Sequence, residues 1–220
     1  MSQHFFREVE ALKQKLLSLG TLVEDRIAQA LDALVKRDAD LAQQIIDGDD
    51  DIDEMEIEIE EDCLKLLALY QPVAVDLRFV VAVLKINNDL ESMADKAVNI
   101  ARRTKSLIAL PNLALPPSLS AMAREAKAMV KHCLDAFVQE DATLARRVCA
   151  NDRAVDRYHR ELYKQLQDQL RTHPEDVERL LHVLSVVRHL ERIGDLATNV
   201  AEDVIYNVEG AIVRHRTGIA

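Results

Sequence analysis

The stretch His189–Glu209, HLERIGDLATNVAEDVIYNVE, decides how the rest of the chain is read. Glu191, Asp195, Asn199 and Glu202 fall at i, i+4, i+8 and i+11, which at about 100° per residue places them on one narrow, anionic stripe of an α-helix. Beside it runs a second stripe, Val183, Val187, Leu190, Gly194, Ala197, Ala201 and Val204, apolar and small at its centre, as expected of a helix packed closely on a neighbour. The carboxylates therefore lie at the margin of a packed interface. A row of oxygens there needs a cationic partner, either Arg and Lys or a hard metal ion.

The same pattern occurs one hundred residues earlier, in LESMADKAVN (Leu90–Asn99). Aligned without a gap, Asp76–Ala101 and Asp176–Ala201 share nine of 26 residues, including Glu91/Glu191, Asp95/Asp195 and Asn99/Asn199. At an offset of 103, LDALVKRDADLA (Leu31–Ala42) matches LDAFVQEDATLA (Leu134–Ala145), and the match runs on to Asp49/Asp152 and Asp53/Asp156. The chain is thus an internal duplication. The slip of three residues falls near Pro72 and Pro174, in connections where insertions are tolerated.

Composition agrees with two similar helical halves. The 220 residues are 49% apolar but include only four Phe, four Tyr, five Gly and no Trp, so the core is aliphatic and the chain is all-α. A net charge of −10 argues against nucleic acid or anionic lipid as a direct partner. It also repels small anions, so recognition of an anion is expected to run through bound metal, and the metal-free protein is expected not to bind one. Cys63, Cys133 and Cys149 lack CxxC spacing and read as reduced core thiols of a cytosolic protein. MSQHFFREVEALKQK carries charges too early for a secretory signal, and the longest apolar run, Phe79–Leu84, is far shorter than a bilayer span. Membrane association is therefore expected only through partners.

Apolar spacing from Phe5 to Leu34 predicts a helix over 3–36, with Gly20 tolerated inside it, and Asp38 caps a second over 39–70. That helix holds eleven acids in Asp47–Asp62. Met55–Glu60 alternates like a strand, but its flanks keep helical period and Glu is a poor strand former. Asp49, Asp51, Asp53 and Glu60 mimic a calcium-binding EF-hand loop, yet Glu54 occupies the place of its obligatory Gly. A third helix spans 73–108. Pro111, Pro116 and Pro117 mark a linker, after which the plan repeats with helices at 118–139, 142–172 (capped by Asp141) and from Pro174 through the opening stretch. Gly210 or the segment Arg214-His215-Arg216 is expected to close the last helix and the chain. The expected architecture is two tandem three-helix bundles, residues 1–110 and 118–220, joined by a Pro-rich linker at 111–117.

Antiparallel packing would bring Asp49 and Asp53 to Glu91 and Asp95 in mid-bundle, and Asp152 and Asp156 to Glu191 and Asp195 in the second half. Such oxygen-rich sites suit magnesium, calcium, manganese or iron, and zinc less well without His or Cys. A ferritin-type di-iron enzyme would need Glu-x-x-His on two helices; Asp156-x-x-His159 is the nearest approach. No phosphate loop or nucleophile elbow appears, so a metal-dependent enzyme is the lesser reading and a metal-free scaffold the third. Arg78, Arg188 and Arg192 are expected to form salt bridges with the acids, and Leu66, Leu67, Leu69 and Tyr70 to present a face for a partner.

ERIGDLATNVAEDVIY (Glu191–Tyr206), its degenerate copy ESMADKAVNIAR (Glu91–Arg102), the DxxxD pair in each half and QPVAVDLR (Gln71–Arg78) resemble the PhoU family of phosphate-uptake regulators over nearly the whole chain. The resemblance implies duplicated three-helix bundles that bind multinuclear metal clusters (iron, manganese, magnesium or zinc) through E(D)xxxD motifs. It implies the ligands Asp49, Asp53, Glu91 and Asp95 in the first half and Asp152, Asp156, Glu191 and Asp195 in the second. It further implies a cytoplasmic, non-enzymatic negative regulator, a homodimer, that links the ATPase subunit of the phosphate ABC transporter to a sensor histidine kinase and reaches the inner membrane through them. The first copy departs from the pattern, with Ser92, Met93 and Ala94 where Arg192, Ile193 and Gly194 stand, so the two sites are expected to differ in affinity.

Overall fold

The structure, a computed structural model, describes residues 3–211; the segment Arg214-His215-Arg216 lies outside them. Seven α-helices follow in order: α1 (Gln3–Lys36), α2 (Ala39–Asp47), α3 (Asp50–Tyr70), α4 (Ala74–Ile108), α5 (Pro117–Gln139), α6 (Ala142–Thr172) and α7 (Val177–Glu209), with one 3-10 turn at Pro174–Asp176. No helix among the described residues is long and apolar enough to cross a membrane.

The duplication is visible in how helices end. Arg37 and Glu140, 103 residues apart, both adopt left-handed backbone, at φ 55° and 52°. The next residues, Asp38 and Asp141, donate their N–H to the carbonyls of Ala33 and Ala136 at 3.0 Å each. Their carboxylates then accept from the first-turn amides, Leu41 N at 2.9 Å for Asp38, and Thr143 N and Leu144 N at 2.8 and 2.9 Å for Asp141. Both caps are those that the sequence predicts.

One helix differs from the reading. The segment expected as a single helix over 39–70 is interrupted at Gly48–Asp49, whereas its copy α6 runs unbroken from Ala142 to Thr172. The cause lies in α1: the Arg26 guanidinium donates to the carbonyls of Ile45 and Gly48, both at 2.8 Å, capping the end of α2 as intrahelical amides otherwise would. A Cβ at Gly48 would lie 3.1 Å from Arg26 Nη1, so the missing side chain makes room for the guanidinium. In the second half Met129 stands for Arg26 and Asn151 for Gly48, and neither element of the device is present.

The halves are not beads on a linker. Helices α4 and α7 share the most extensive helix–helix interface, and α1 also contacts α5. Every member of the apolar stripe read in α7, from Val183 to Val204, is buried. Between α1 and α5 a Cβ on Gly20 would lie 2.8 Å from Leu134 Cδ2, so this glycine serves the approach of the two halves rather than being merely tolerated. Phe79 of α4 stacks on Phe137 of α5 at 6.2 Å. The linker is fastened from both sides: Arg37 donates to the carbonyls of Leu107, Ile108 and Leu110 at 2.9, 3.3 and 3.1 Å, and Arg179 to that of Pro111 at 3.3 Å. Pro117, read as linker, opens α5 at its first turn, where the missing N–H costs nothing.

The face expected from Leu66, Leu67, Leu69 and Tyr70 is mostly core. Leu66 is buried, Leu67 is half-buried, and Tyr70 packs edge-on against the ring of Phe5 at 5.4 Å; only Leu69 of the four is exposed, at 74%. It is joined near the α3–α4 turn by exposed Val73 and Val75.

Candidate metal centre

In the second half α6 carries Asp152 and Asp156 one turn apart, and α7 lies against it with Glu191 and Asp195. All four are half-buried at the margin of the packed stripe. Gly194 lets the helices approach: a Cβ there would lie 3.3 Å from Val155 Cγ1 and 3.5 Å from Asp152 Oδ1. The electrostatics follow from this proximity. Burial first, then the charges of Asp156, Asp195 and Glu191, push the Asp152 carboxyl from its ordinary 3.8 up to about 6. Glu191 is raised by burial and by Asp195, against the opposing effects of His159 and Arg192. Four like-charged groups thus act on one another across the α6–α7 interface.

The first half repeats the arrangement in altered form. Asp49 lies between α2 and α3 at the break, with α3 carrying Asp53 and α4 carrying Glu91 and Asp95. Burial, then Asp53 and Asp95, raise Asp49, with Arg102 and Arg26 opposing. Burial and Asp95 likewise raise Glu91, to which Asp53 and Glu56 add. Asp53 is exposed and the other three are half-buried.

Glu56 belongs to this group although the sequence reading leaves it out of the ligand set. Burial, Glu60 and Asp53 raise its pKa, and Asn87 of α4 donates to its backbone carbonyl at 2.9 Å and its Oε1 at 3.4 Å. At the offset of 103 its counterpart is His159, whose Nδ1 lies 3.9 Å from Glu191 Oε1. Comparing the two repeats position by position finds this pair. The first cluster is therefore all-carboxylate, whereas the second has an imidazole at its edge.

Among the described residues, no three carboxylate, imidazole or thiol groups already stand at coordination spacing. Several of the acids turn instead to nearby cations: Asp195 to Arg192 at 3.2 Å, Asp156 to Arg160 at 3.5 Å and Asp95 to Lys96 at 3.7 Å. Asn99 Oδ1 accepts from Arg102 at 3.2 Å. Mutual repulsion and competing cations account for this splay. The donor chemistry fits a hard cation, and binding one would require these side chains to swing inward. Of the arginines expected to pair with the acids, Arg192 does. Arg78 lies against Gly210 with its buried Nε unpartnered, and Arg188 lines a cleft between α4 and α7. The three cysteines are free, and burial pushes Cys63 up to about 12 and Cys149 to about 11, so they remain protonated and inert.

A family model, the PhoU domain, matches the chain twice, over residues 16–104 and 119–204. The chain belongs to the PhoU family. It is 40% identical over 215 residues to a phosphate-specific transport system accessory protein PhoU homolog of Aquifex aeolicus, covering 96% of each chain. A homolog of the same description from Pseudomonas aeruginosa is 39% identical, with 98% of this chain and 89% of that protein covered. Among solved structures, PhoU from Pseudomonas aeruginosa superposes with a TM-score of 0.92 at 38% identity, over 94% of this chain and 100% of that one. The phosphate transport system regulatory protein PhoU from Streptococcus pneumoniae gives 0.90 at 32%, over 95% and 99%. These PhoU proteins are thus named for accessory and regulatory roles in phosphate transport, and they share the duplicated helical fold.

Proposed function

We propose that this protein is a non-enzymatic negative regulator of phosphate uptake and phosphate-starvation signalling, acting as a metal-binding adaptor in the cytoplasm. Each half takes a divalent or trivalent ion: Asp49, Asp53, Glu91 and Asp95 with Glu56 in the first, and Asp152, Asp156, Glu191 and Asp195 in the second. The observation that carries this reading is the gathering of Asp152 and Asp156 of α6 with Glu191 and Asp195 of α7 along one half-buried margin, where burial and the other three carboxylates raise Asp152. A cation is the partner that relieves that repulsion. The names of the relatives carry the regulatory half of the reading. The partners follow from it: the ATPase subunit of the phosphate transporter, the sensor histidine kinase and a second copy of this chain. The exposed apolar residues Leu69, Val73 and Val75 are a surface suited to one of them.

A clean deletion strain tests the regulatory role. Phosphate-starvation genes are expected to be expressed in high phosphate without the protein; continued repression would refute it. Purified protein that holds no metal, and whose melting ignores added magnesium, manganese, iron and zinc, would leave only a helical scaffold.

A further inference from the structure

Helices α4 and α7 are copies of one another at an offset of 100, and the contacts between them are antiparallel, so the duplication relates the two ends of their seam. At one end Lys85 of α4 meets Asp203 of α7, Nζ to Oδ1 at 3.2 Å, with the carboxylate buried and the ammonium 5.6 Å from the Tyr206 ring centre. At the other end the duplicated positions hold different chemistry: Ser185 stands in the place of Lys85, and Arg103 in the place of Asp203. The long cation has become a short hydroxyl and the carboxylate a guanidinium.

That end is a cleft of about 610 Å³, lined by Lys96 and Arg103 of α4 and by Ser185, Arg188 and Arg192 of α7. Four cationic side chains converge there in a chain whose net charge is −10. Their counterparts at the Lys85 end are Leu196, Asp203, Asn88 and Ser92, so the two ends of the seam differ in sign. Glu191 and Asp195 also line the cleft, but they do not satisfy it. Among the described residues its ion pairs are Asp195 with Arg192 at 3.2 Å, Lys96 with the adjacent Asp95 at 3.7 Å, and Glu191 with the His159 imidazole at 3.9 Å where that ring is protonated. The Arg103 Nε is buried and makes no hydrogen bond.

We propose that this cleft binds a small phosphoryl anion carrying two or more linked phosphates, such as pyrophosphate or a nucleoside polyphosphate, and does so without a metal. Guanidinium forks match the planar pairs of oxygens that a phosphoryl group presents, and their charge persists at any physiological pH. The Ser185 hydroxyl, 3.3 Å from His189 Nε2, adds with that ring a neutral polar pair. The cleft is larger than a single orthophosphate fills, which favours the linked phosphates. This modifies the expectation drawn from net charge, because attraction is set by the charges lining a cleft rather than by the sum over the chain. Asp195 borders both this cleft and the α6–α7 carboxylates, and its charge opposes the anion.

Calorimetry on the full chain, in chelator and low salt, tests the proposal with orthophosphate, pyrophosphate and ATP as separate ligands. Pyrophosphate or ATP is expected to bind, and more tightly than orthophosphate. Arg188→Gln, on an exposed helix position, should weaken binding about tenfold, the worth of one charge-assisted hydrogen bond. Asp195→Asn should strengthen it, which a merely structural role for the cleft would not do. Arg103→Met should abolish it, and if that variant does not fold, Arg188→Gln and Asp195→Asn decide. Absence of binding by all three ligands, orthophosphate binding as tightly as the others, or affinity unchanged in Arg188→Gln would overturn the proposal.

Discussion

Replacing Asp152 with Asn should make the metal-free protein more stable at neutral pH and less responsive to metal. The folded carboxyl titrates at about 6 against an ordinary 3.8, and each pH unit between them is worth about 1.36 kcal/mol. That sets an upper bound of about 3 kcal/mol, which solvent screening of a half-exposed group reduces to about 1–2 kcal/mol. The sign follows from proton occupancy. Between pH 3.8 and about 6 the folded protein keeps a proton that the unfolded chain has released, so stability rises as pH falls through that window and levels off below it. Above it the repulsion is present in full. In chelator at pH 7.5, Asp152→Asn should therefore melt about 2–8 °C above wild type, taking about 2–4 °C per kcal/mol for a chain of this size. By about pH 4 most of the advantage should be gone, because the folded wild-type carboxyl is then neutral and the unfolded one is about half protonated. Saturating metal should invert the order. An ion binding only the folded state adds RT ln(1 + [L]/Kd), about 2.7 kcal/mol at hundredfold excess over Kd, and the variant lacks one of its ligands. Thermal melts at pH 7.5 and pH 4, with chelator and then with manganese, measure all four points. An Asn variant less stable than wild type in chelator at pH 7.5 would show that Asp152 is held by favourable contacts, and the electrostatic reasoning would be wrong.

Asp195→Asn should reduce the metal-induced rise in melting temperature and lower metal content in the second half, while changing metal-free stability by no more than about 0.5 kcal/mol; equal metal shifts in variant and wild type would show that Asp195 is no ligand. Arg26→Met should cost about 1–3 kcal/mol in urea unfolding, since two carbonyls at the end of α2 lose their charged donor, and a loss below about 0.5 kcal/mol would mean that water replaces the guanidinium without penalty. Sedimentation at micromolar concentration should give a dimer of the 24.8 kDa chain, and a monomer alone would count against the proposed pairing with a second copy.

Helix periodicity and caps are local properties, and they were legible for that reason. The apolar stripe of α7 is buried throughout, its acids lie at the half-exposed margin, and Asp38 and Asp141 cap as read. The interruption at Gly48 was not legible locally, since one glycine costs a helix only about 1 kcal/mol and the decisive contact comes from Arg26 in another helix. Comparing the repeats shows it, because Met129 and Asn151 replace both parts of the device. The run from Leu66 to Tyr70 misled for a related reason: α3 lies against both α1 and α4, so it buries a wider apolar arc than a helix with one neighbour. Net charge is silent on where an anion could sit, for a sum over the chain contains nothing of where Arg103 and Arg188 stand. The acids themselves were legible as two recurring sets, and they lie on or at the ends of the expected helices, while the splay of Asp156 and Asp195 toward arginines depends on rotamers that spacing does not encode.

The break at Gly48–Asp49 makes the two halves mechanically unlike. A rod of thirty-one residues, such as α6, carries a displacement from end to end, so a pull on Asp152 is felt both near the Asp141 corner and at His173. A jointed strut absorbs the same pull at its elbow. A displacement of Asp49 would fall at the joint where Arg26 clasps the end of α2, while α3 is held beyond it by α1 and α4.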